Sequence, residues 1–406
     1  MFSRVISAAV YGIDAYIVNV ETDVGFGLPT FDMSGALGSK VREAKDRVRV
    51  AIKNSGIELT PQKIVINISP ANIRKEGTIY DLPIAIGILA ANGCFDLKIL
   101  ENVLIIGEVS LDGSINPVKG VLPMVCAAKE AGIDNCIIPK ANIAEGRIMN
   151  NINIYGVETL SQTIEILKNI AVIDGSRKNI KQADVKSGEC NKSDGNINND
   201  TYNVLERSRV KFTYGSEVKN NNHSCSYNID YSDISGQAAA KRATMIAVSG
   251  MHNIMYIGPP GSGKTMLAQR IPTIMPDMDY EEQLRLTKIY SVAGLLDSEG
   301  GIMVKRPFRN PHHTITQAAL LGGGAVPRPG EITLSEGGVL FLDEMTEFNQ
   351  VIMEALRQPL EDKVVTISRV NGKMIYDASF QLVASMNPCP CGYLGDPYHV
   401  CGCTPN

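Results

Sequence analysis

No run of about eighteen apolar residues occurs anywhere in the chain, which excludes a membrane-spanning helix of ordinary length. A secretory leader is not indicated either: residues 1–10 hold a short apolar stretch with one basic residue and run on into Asp14 without a cleavage region. Cysteine is too thinly spread for a disulfide framework, at nine in 406 residues. Cys94, Cys126 and Cys136 lie in apolar settings, where reduced buried thiols are the default. These absences together predict a cytoplasmic protein with no membrane partner. Positive charge is not in excess, and a formal net charge of −4 argues against a broadly basic nucleic-acid coat while leaving room for a local basic channel. No internal repeat is visible.

What is present is a soluble composition, 44% hydrophobic and 20% charged, in a chain long enough for two or three domains. Residues 1–170 read as an α/β domain. Stretches 15–21, 63–68, 103–107 and 135–139 are strand-like by β-branched content, and 39–54, 82–92, 123–131 and 159–169 are helix-like. Across 171–227 Gly, Ser, Asn, Lys and Asp dominate, too little apolar surface to offset chain entropy, so a flexible linker is expected. Ordered structure resumes from 228, with a helical stretch at 238–248.

Gly258, Pro259, Pro260, Gly261, Ser262, Gly263, Lys264 and Thr265 match G-x-x-x-x-G-K-[ST] in full. The match follows the apolar run 254–257 and precedes the helical run that starts at Met266, itself a nucleotide-binding candidate, in the strand–loop–helix setting that the motif requires. Glycines let backbone N–H groups turn inward around phosphate, and the helix N-terminus faces the same anion. Lys264 is then expected to reach the β- and γ-phosphates of ATP, and Thr265 to place its hydroxyl on Mg²⁺. A chance Gly/Pro-rich turn is the bland alternative, and eight positions in register with correct flanks argue against it.

Two later strands complete the set. The apolar run 339–342 ends in Asp343 and Glu344, which suits Asp343 to Mg²⁺ and Glu344 to polarising an attacking water. The run 380–386 ends in Asn387 before Pro388. Adjacent parallel strands bring Asn387 beside Asp343, where its amide can sense the γ-phosphate; a turn-forming Asn is the competing reading.

Loop, acidic strand and sensor strand match the AAA+ core. The segments 306–313, 322–335, 341–348, 356–362, 366–369 and 386–392 closely resemble the magnesium-chelatase-like ComM/YifB family, and the resemblance covers nearly the whole chain outside the linker. It implies a Lon-protease-like α/β domain followed by an AAA+ P-loop ATPase core, a parallel sheet with flanking helices, over residues 228–406. It further implies a homo-hexameric ring that acts on single-stranded or branched DNA and drives branch migration of recombination intermediates in natural transformation. A chelatase-type ATPase that remodels a protein partner is the alternative, as is an ATP-binding assembly module without efficient turnover. The chain ends shortly after the sensor strand, so the family's arginine finger and helical lid are not in it. The expectation is that this polypeptide alone binds ATP yet hydrolyses it poorly.

Five further readings remain. Residues 322–336 resemble the insert that this clade points into its pore. Residues 362–377 alternate around Val370-Asn-Gly-Lys373, a hairpin signal that would present Arg369 and Lys373 to a phosphate backbone, with an ordinary solvated hairpin equally weighted. Arg306, Arg309, His312 and His313 suit packing or phosphate contact better than metal. Cys389, Cys391, Cys401 and Cys403 suit a tetrahedral structural Zn²⁺, with His399 as a substitute ligand and unliganded thiols as the alternative. Residues 25–31, 42–49, 74–83 and 107–113 resemble the Lon-like domain, but Tyr80 and Asp81 stand where its serine would fall and Leu122 where its lysine would. The domain is expected to be non-proteolytic.

Overall fold

The computed structural model describes residues 1–170, 227–296, 301–324, 328–369, 372–395 and 399–404, so the expected linker is outside the description except at residue 227. Two compact units share these residues, one drawn mainly from the first 170 and one mainly from 227 onward.

The first unit is built on a seven-stranded sheet. Its strands are β1 (Phe2–Tyr11), β2 (Asp14–Gly25), β3 (Phe31–Ser34), β4 (Lys63–Ser69) and β5 (Val103–Ile105), with β8 (Asn135–Pro139) and β9 (Asn153–Val157) beyond a small ladder of β6 (Glu108–Val109) and β7 (Ile115–Asn116). The order is β3-β4-β2-β1-β5-β8-β9. β2 and β4 run antiparallel, while β1–β5, β5–β8 and β8–β9 are parallel. The helix Asp81–Ala91 is buried at every position, as expected of a helix apolar all round. It approaches β2 so closely that a Cβ on Gly87 would lie 2.6 Å from Thr22 Oγ1, which is why glycine stands there. The helix Ala44–Asn54 buries Ala44, Val48, Ala51 and Ile52, the one-sided spacing of an amphipathic helix. The single helix expected over 39–54 is broken at Glu43 into Ser39–Arg42 and Ala44–Asn54.

The second unit holds a four-stranded parallel sheet made of β10 (Ile254–Ile257), β11 (Phe308–Arg309), β14 (Val339–Leu342) and β17 (Gln381–Met386). Two antiparallel ladders accompany it: β12 (Gly322–Gly323) with β13 (Arg328–Pro329), and β15 (Val364–Arg369) with β16 (Gly372–Asp377). The order β10-β17-β14-β11 puts the last strand in the sequence between the phosphate-loop strand and the acidic strand. β14 explains why this sheet has helices on both faces. Val339 and Phe341 join one apolar cluster with Leu267, Ile271 and Val383, and Leu340 and Leu342 join another with Phe348, Ile352 and Leu356. The helix Tyr280–Ala293 begins at a capping box, with the Asp279 carboxylate accepting from Glu282 N at 2.8 Å, and ends at Gly294 with φ 71°. Among the described residues no helix is long and apolar enough to cross a membrane.

Candidate active site

The phosphate loop runs from the tip of β10 into the helix Lys264–Gln269. Gly261 (φ 76°) and Gly263 (φ 86°) adopt the left-handed backbone that turns successive N–H groups to one side. Gly258 leaves little room: a Cβ there would sit 3.0 Å from Ser262 Oγ, itself a buried hydroxyl without a hydrogen-bond partner. Gln237, a non-glycine residue at φ 53°, reaches the loop from outside by donating Nε2 to Ser262 O at 3.3 Å.

Lys264 Nζ donates to Gly258 O at 2.8 Å, to Pro259 O at 3.1 Å and to Asn387 Oδ1 at 3.2 Å. Thr265 Oγ1 donates to Asp343 Oδ2 at 2.9 Å. Four side chains from three strand ends thus meet in one place, because β17 is paired in register with both β10 and β14. Glu344 follows in an exposed left-handed turn (φ 53°), with its backbone N–H 3.2 Å from Asp343 Oδ1 and 3.3 Å from Ser385 Oγ.

Ser385 is the site residue that motif reading missed. Its hydroxyl donates to the other Asp343 oxygen, so the acid is held between Thr265 and Ser385. The available signal was strand periodicity, since Ser385 lies two positions before Asn387 and therefore on the same face of β17.

The other predicted groups fall elsewhere. Arg306 is tied to Pro276 O at 2.6 Å and to Glu282 at 3.2 Å, and Arg309 forms a bidentate pair with Glu331 at 2.7 and 2.8 Å. The His312 and His313 rings lie 4.0 Å apart, and His312 Nδ1 is 2.9 Å from Thr314 Oγ1. Packing and internal ion pairing account for this group. Arg369 and Lys373 sit at the tip of the β15–β16 ladder, where Arg369 pairs with Gly372 and Ser368 with Lys373; residues 370–371 lie outside the description. Cys389, Cys391, Cys401 and Cys403 form the one cluster of three or more metal-ligand side chains found among the described residues. The Cys391 thiol is pulled down to about 6 by backbone hydrogen bonding at Tyr393 and by the Cys389 thiol. His399 stacks on Tyr393, with ring centroids 4.7 Å apart.

In the first unit, Tyr80 and Asp81, the pair expected where a Lon serine would fall, are both buried, and Asp81 accepts from Arg47 Nε at 2.8 Å and from its terminal nitrogen at 2.9 Å. Leu122 is fully buried, its backbone N–H donating to Glu145 at 2.8 Å. A buried ion pair and a leucine supply no nucleophile–base couple.

A Lon-like α/β unit joined to a parallel sheet with a phosphate loop, an acidic strand and a sensor strand defines the architecture of a Lon-like AAA+ protein. The family model described as "Magnesium chelatase, subunit ChlI" matches residues 230–406, and "Subunit ChlI of Mg-chelatase" matches 20–142. "Competence protein ComM" of Haemophilus influenzae is 37% identical over 391 residues, covering 96% of this chain and 69% of that protein. "Uncharacterized protein YifB" of Escherichia coli is 37% identical over 399 residues, covering 98% and 70%. The archaeal Lon protease of Thermococcus kodakarensis is 31% identical over 151 residues, 36% of this chain and 23% of that enzyme. The chain belongs to the magnesium-chelatase-like ComM/YifB family.

Proposed function

We propose that this chain is an ATP-driven DNA motor, working as a ring of six and moving branched DNA. The observation that carries the ATPase part is the meeting of Lys264, Thr265, Asp343 and Asn387 at adjacent strand ends. Lys264 Nζ now donates to two carbonyls of its own loop, acceptors whose place polyphosphate oxygens would take. The loop's glycine backbone and the orphaned Ser262 hydroxyl fit phosphate oxygens. Thr265 and Asp343 are the residues suited to hold Mg²⁺, which when bound neutralises charge on the β- and γ-phosphates. Glu344 accepts a proton from water as the water oxygen bonds to the γ-phosphorus. The bond from that phosphorus to the β–γ bridging oxygen breaks, releasing ADP and phosphate. Asn387, linked to Lys264, reports the γ-phosphate to β17.

DNA as the track rests on likeness to a competence protein and on a hairpin tip carrying Arg369 and Lys373. The match to the magnesium chelatase model favours a second reading, a motor that remodels a protein partner. ATP turnover measured with and without a four-way DNA junction separates them. Junction-stimulated turnover and branch movement are expected, and turnover indifferent to every DNA would refute the DNA reading while leaving the ATPase standing.

A further inference from the structure

The segment leaving the sensor strand folds at once into a sulfur cluster. Cys389 Sγ lies 3.3 Å from Cys391 Sγ and 3.7 Å from Cys401 Sγ, and Cys391 Sγ lies 3.6 Å from Cys401 Sγ. Cys403 Sγ joins them by accepting from Cys391 N at 3.4 Å, and all four sulfurs fall within 4.8 Å of one another. None is disulfide-bonded, since that bond is about 2.05 Å long. A tetrahedral ion with metal–sulfur bonds of about 2.3 Å spaces its ligand sulfurs by roughly 3.8 Å, close to what is seen here. The spacing encloses a single ion and leaves no room for a multi-iron cluster. Four half-buried sulfurs this close repel one another when ionised, and a central dication converts that repulsion into attraction.

A second observation ties the cluster to the candidate active site. Gly392, at φ 83°, closes a turn by donating to Cys389 O at 2.9 Å. Its backbone packs against the phosphate loop so tightly that a Cβ would lie 2.6 Å from Pro260 Cδ. Asn387, bonded to Lys264, is separated from Cys389 only by Pro388. One short turn therefore carries two of the sulfur ligands, lies on the phosphate loop and holds the sensor amide.

We propose that Cys389, Cys391, Cys401 and Cys403 hold one structural zinc ion whose task is to position Asn387 and the phosphate loop. The cysteines are positioning residues, acting through the turn 389–392 and not on the nucleotide. The positioning of the loop stands on geometry alone; its effect on turnover rests on the ATPase reading above. With the ion removed, the loop from 389 to 403 regains chain entropy, and the turn loses its fixed place on Pro260.

The full chain is purified and its metal measured, then stripped with a chelator and refilled with zinc. Backbone hydrogen exchange of 258–265 and ATP turnover are followed at each stage. One zinc per chain is expected, absent from a Cys389→Ser/Cys401→Ser variant and retained by Cys94→Ser. Stripping should speed exchange in 258–265 and lower turnover by about tenfold to a hundredfold, the scale of a misplaced positioning group, with recovery on refilling. Cobalt substitution giving a tetrahedral thiolate spectrum supports the ligand set even if the double variant does not fold. Purified protein that holds iron, or no metal, overturns the zinc assignment. Zinc whose removal leaves exchange in 258–265 unchanged overturns the positioning role. Zinc-dependent exchange in a chain that neither binds nor hydrolyses ATP supports the positioning role and refutes the ATPase reading instead.

Discussion

Lys264 and Asn387 share one hydrogen bond, yet their loss should have different consequences. Lys264 sits within the loop and faces its carbonyls, so Lys264→Ala removes the cation that phosphate needs, and ATP binding should fall below detection by titration calorimetry. Asn387 stands at a strand tip outside the loop. Asn387→Ala should leave ATP binding within a few-fold and lower kcat by about a hundredfold, the scale of losing one oriented polar group. Equal loss of binding in both variants would mean that Asn387 supports the loop and nothing more. Glu336 offers a test of a different kind. It is 5% exposed, accepts from Ser379 N at 2.6 Å, and has Asp377 and Glu282 near it as well as Arg285 at 3.8 Å. Burial pushes its carboxyl up to about 7 from an ordinary 4.5. Between those values the folded chain holds a proton that the unfolded chain has released, so this group's contribution to stability falls as pH rises and is flat above and below. The slope is at most about 1.4 kcal/mol per pH unit. Thermal unfolding followed from pH 4.5 to 7 should show that decline, and Glu336→Gln, which keeps an oxygen for Ser379 N, should flatten it.

At the scale of elements, β14 shows how little space separates the strands' approach to the site. Val339 N donates to Pro307 O at 2.8 Å, the bond that starts the β11–β14 pairing. A Cβ on the preceding Gly338 would lie 2.1 Å from that same oxygen. Gly338→Ala should therefore separate β11 from β14 and lower stability by about 1–3 kcal/mol, the usual cost of overpacking, read from a denaturant midpoint with unchanged m. The strand tips were readable in the sequence because the loop and the acidic strand are local patterns with apolar flanks. Ser385 was not picked out, because a serine inside an apolar strand belongs to no motif and only its two-residue offset from Asn387 hints at the hydrogen bond it makes to Asp343. β1 was hidden for a related reason. Its inward positions Ser3, Val5, Ser7 and Ala9 include two serines, which blur the alternation that marks a half-buried strand. The helix expected over 39–54 is interrupted only at Glu43, whose backbone stays right-handed helical at φ −72° and ψ −15°, so its periodicity continues across the break. The hairpin at 362–377 was legible from its alternation, although Arg369 pairs with Gly372, so that Gly372 belongs to β16 and not to the two residues between the strands.

On the scale of the whole molecule, each unit has its own sheet and its own apolar clusters, and the conspicuous chemistry belongs to the second. The first unit has a Lon-like architecture and holds a buried Arg47–Asp81 pair. A net charge of −4 means that any hold on DNA must come from a few placed cations and not from the general field. The β15–β16 ladder carries two such cations at its tip, its strands paired from Val364–Asp377 out to Arg369–Gly372. If Arg369 and Lys373 meet phosphates, binding releases counterions at each one. Removing both charges should then reduce the salt dependence of DNA affinity by about 0.7–0.9 for each phosphate no longer neutralised. The double variant Arg369→Ala/Lys373→Ala should bind ATP as the parent does, because the hairpin tip contributes nothing to the phosphate loop. Its turnover should no longer rise when branched DNA is added. Stimulation that survives the double substitution, with the salt dependence unaltered, would show that the track runs over another part of the protein and that this hairpin is an ordinary solvated surface.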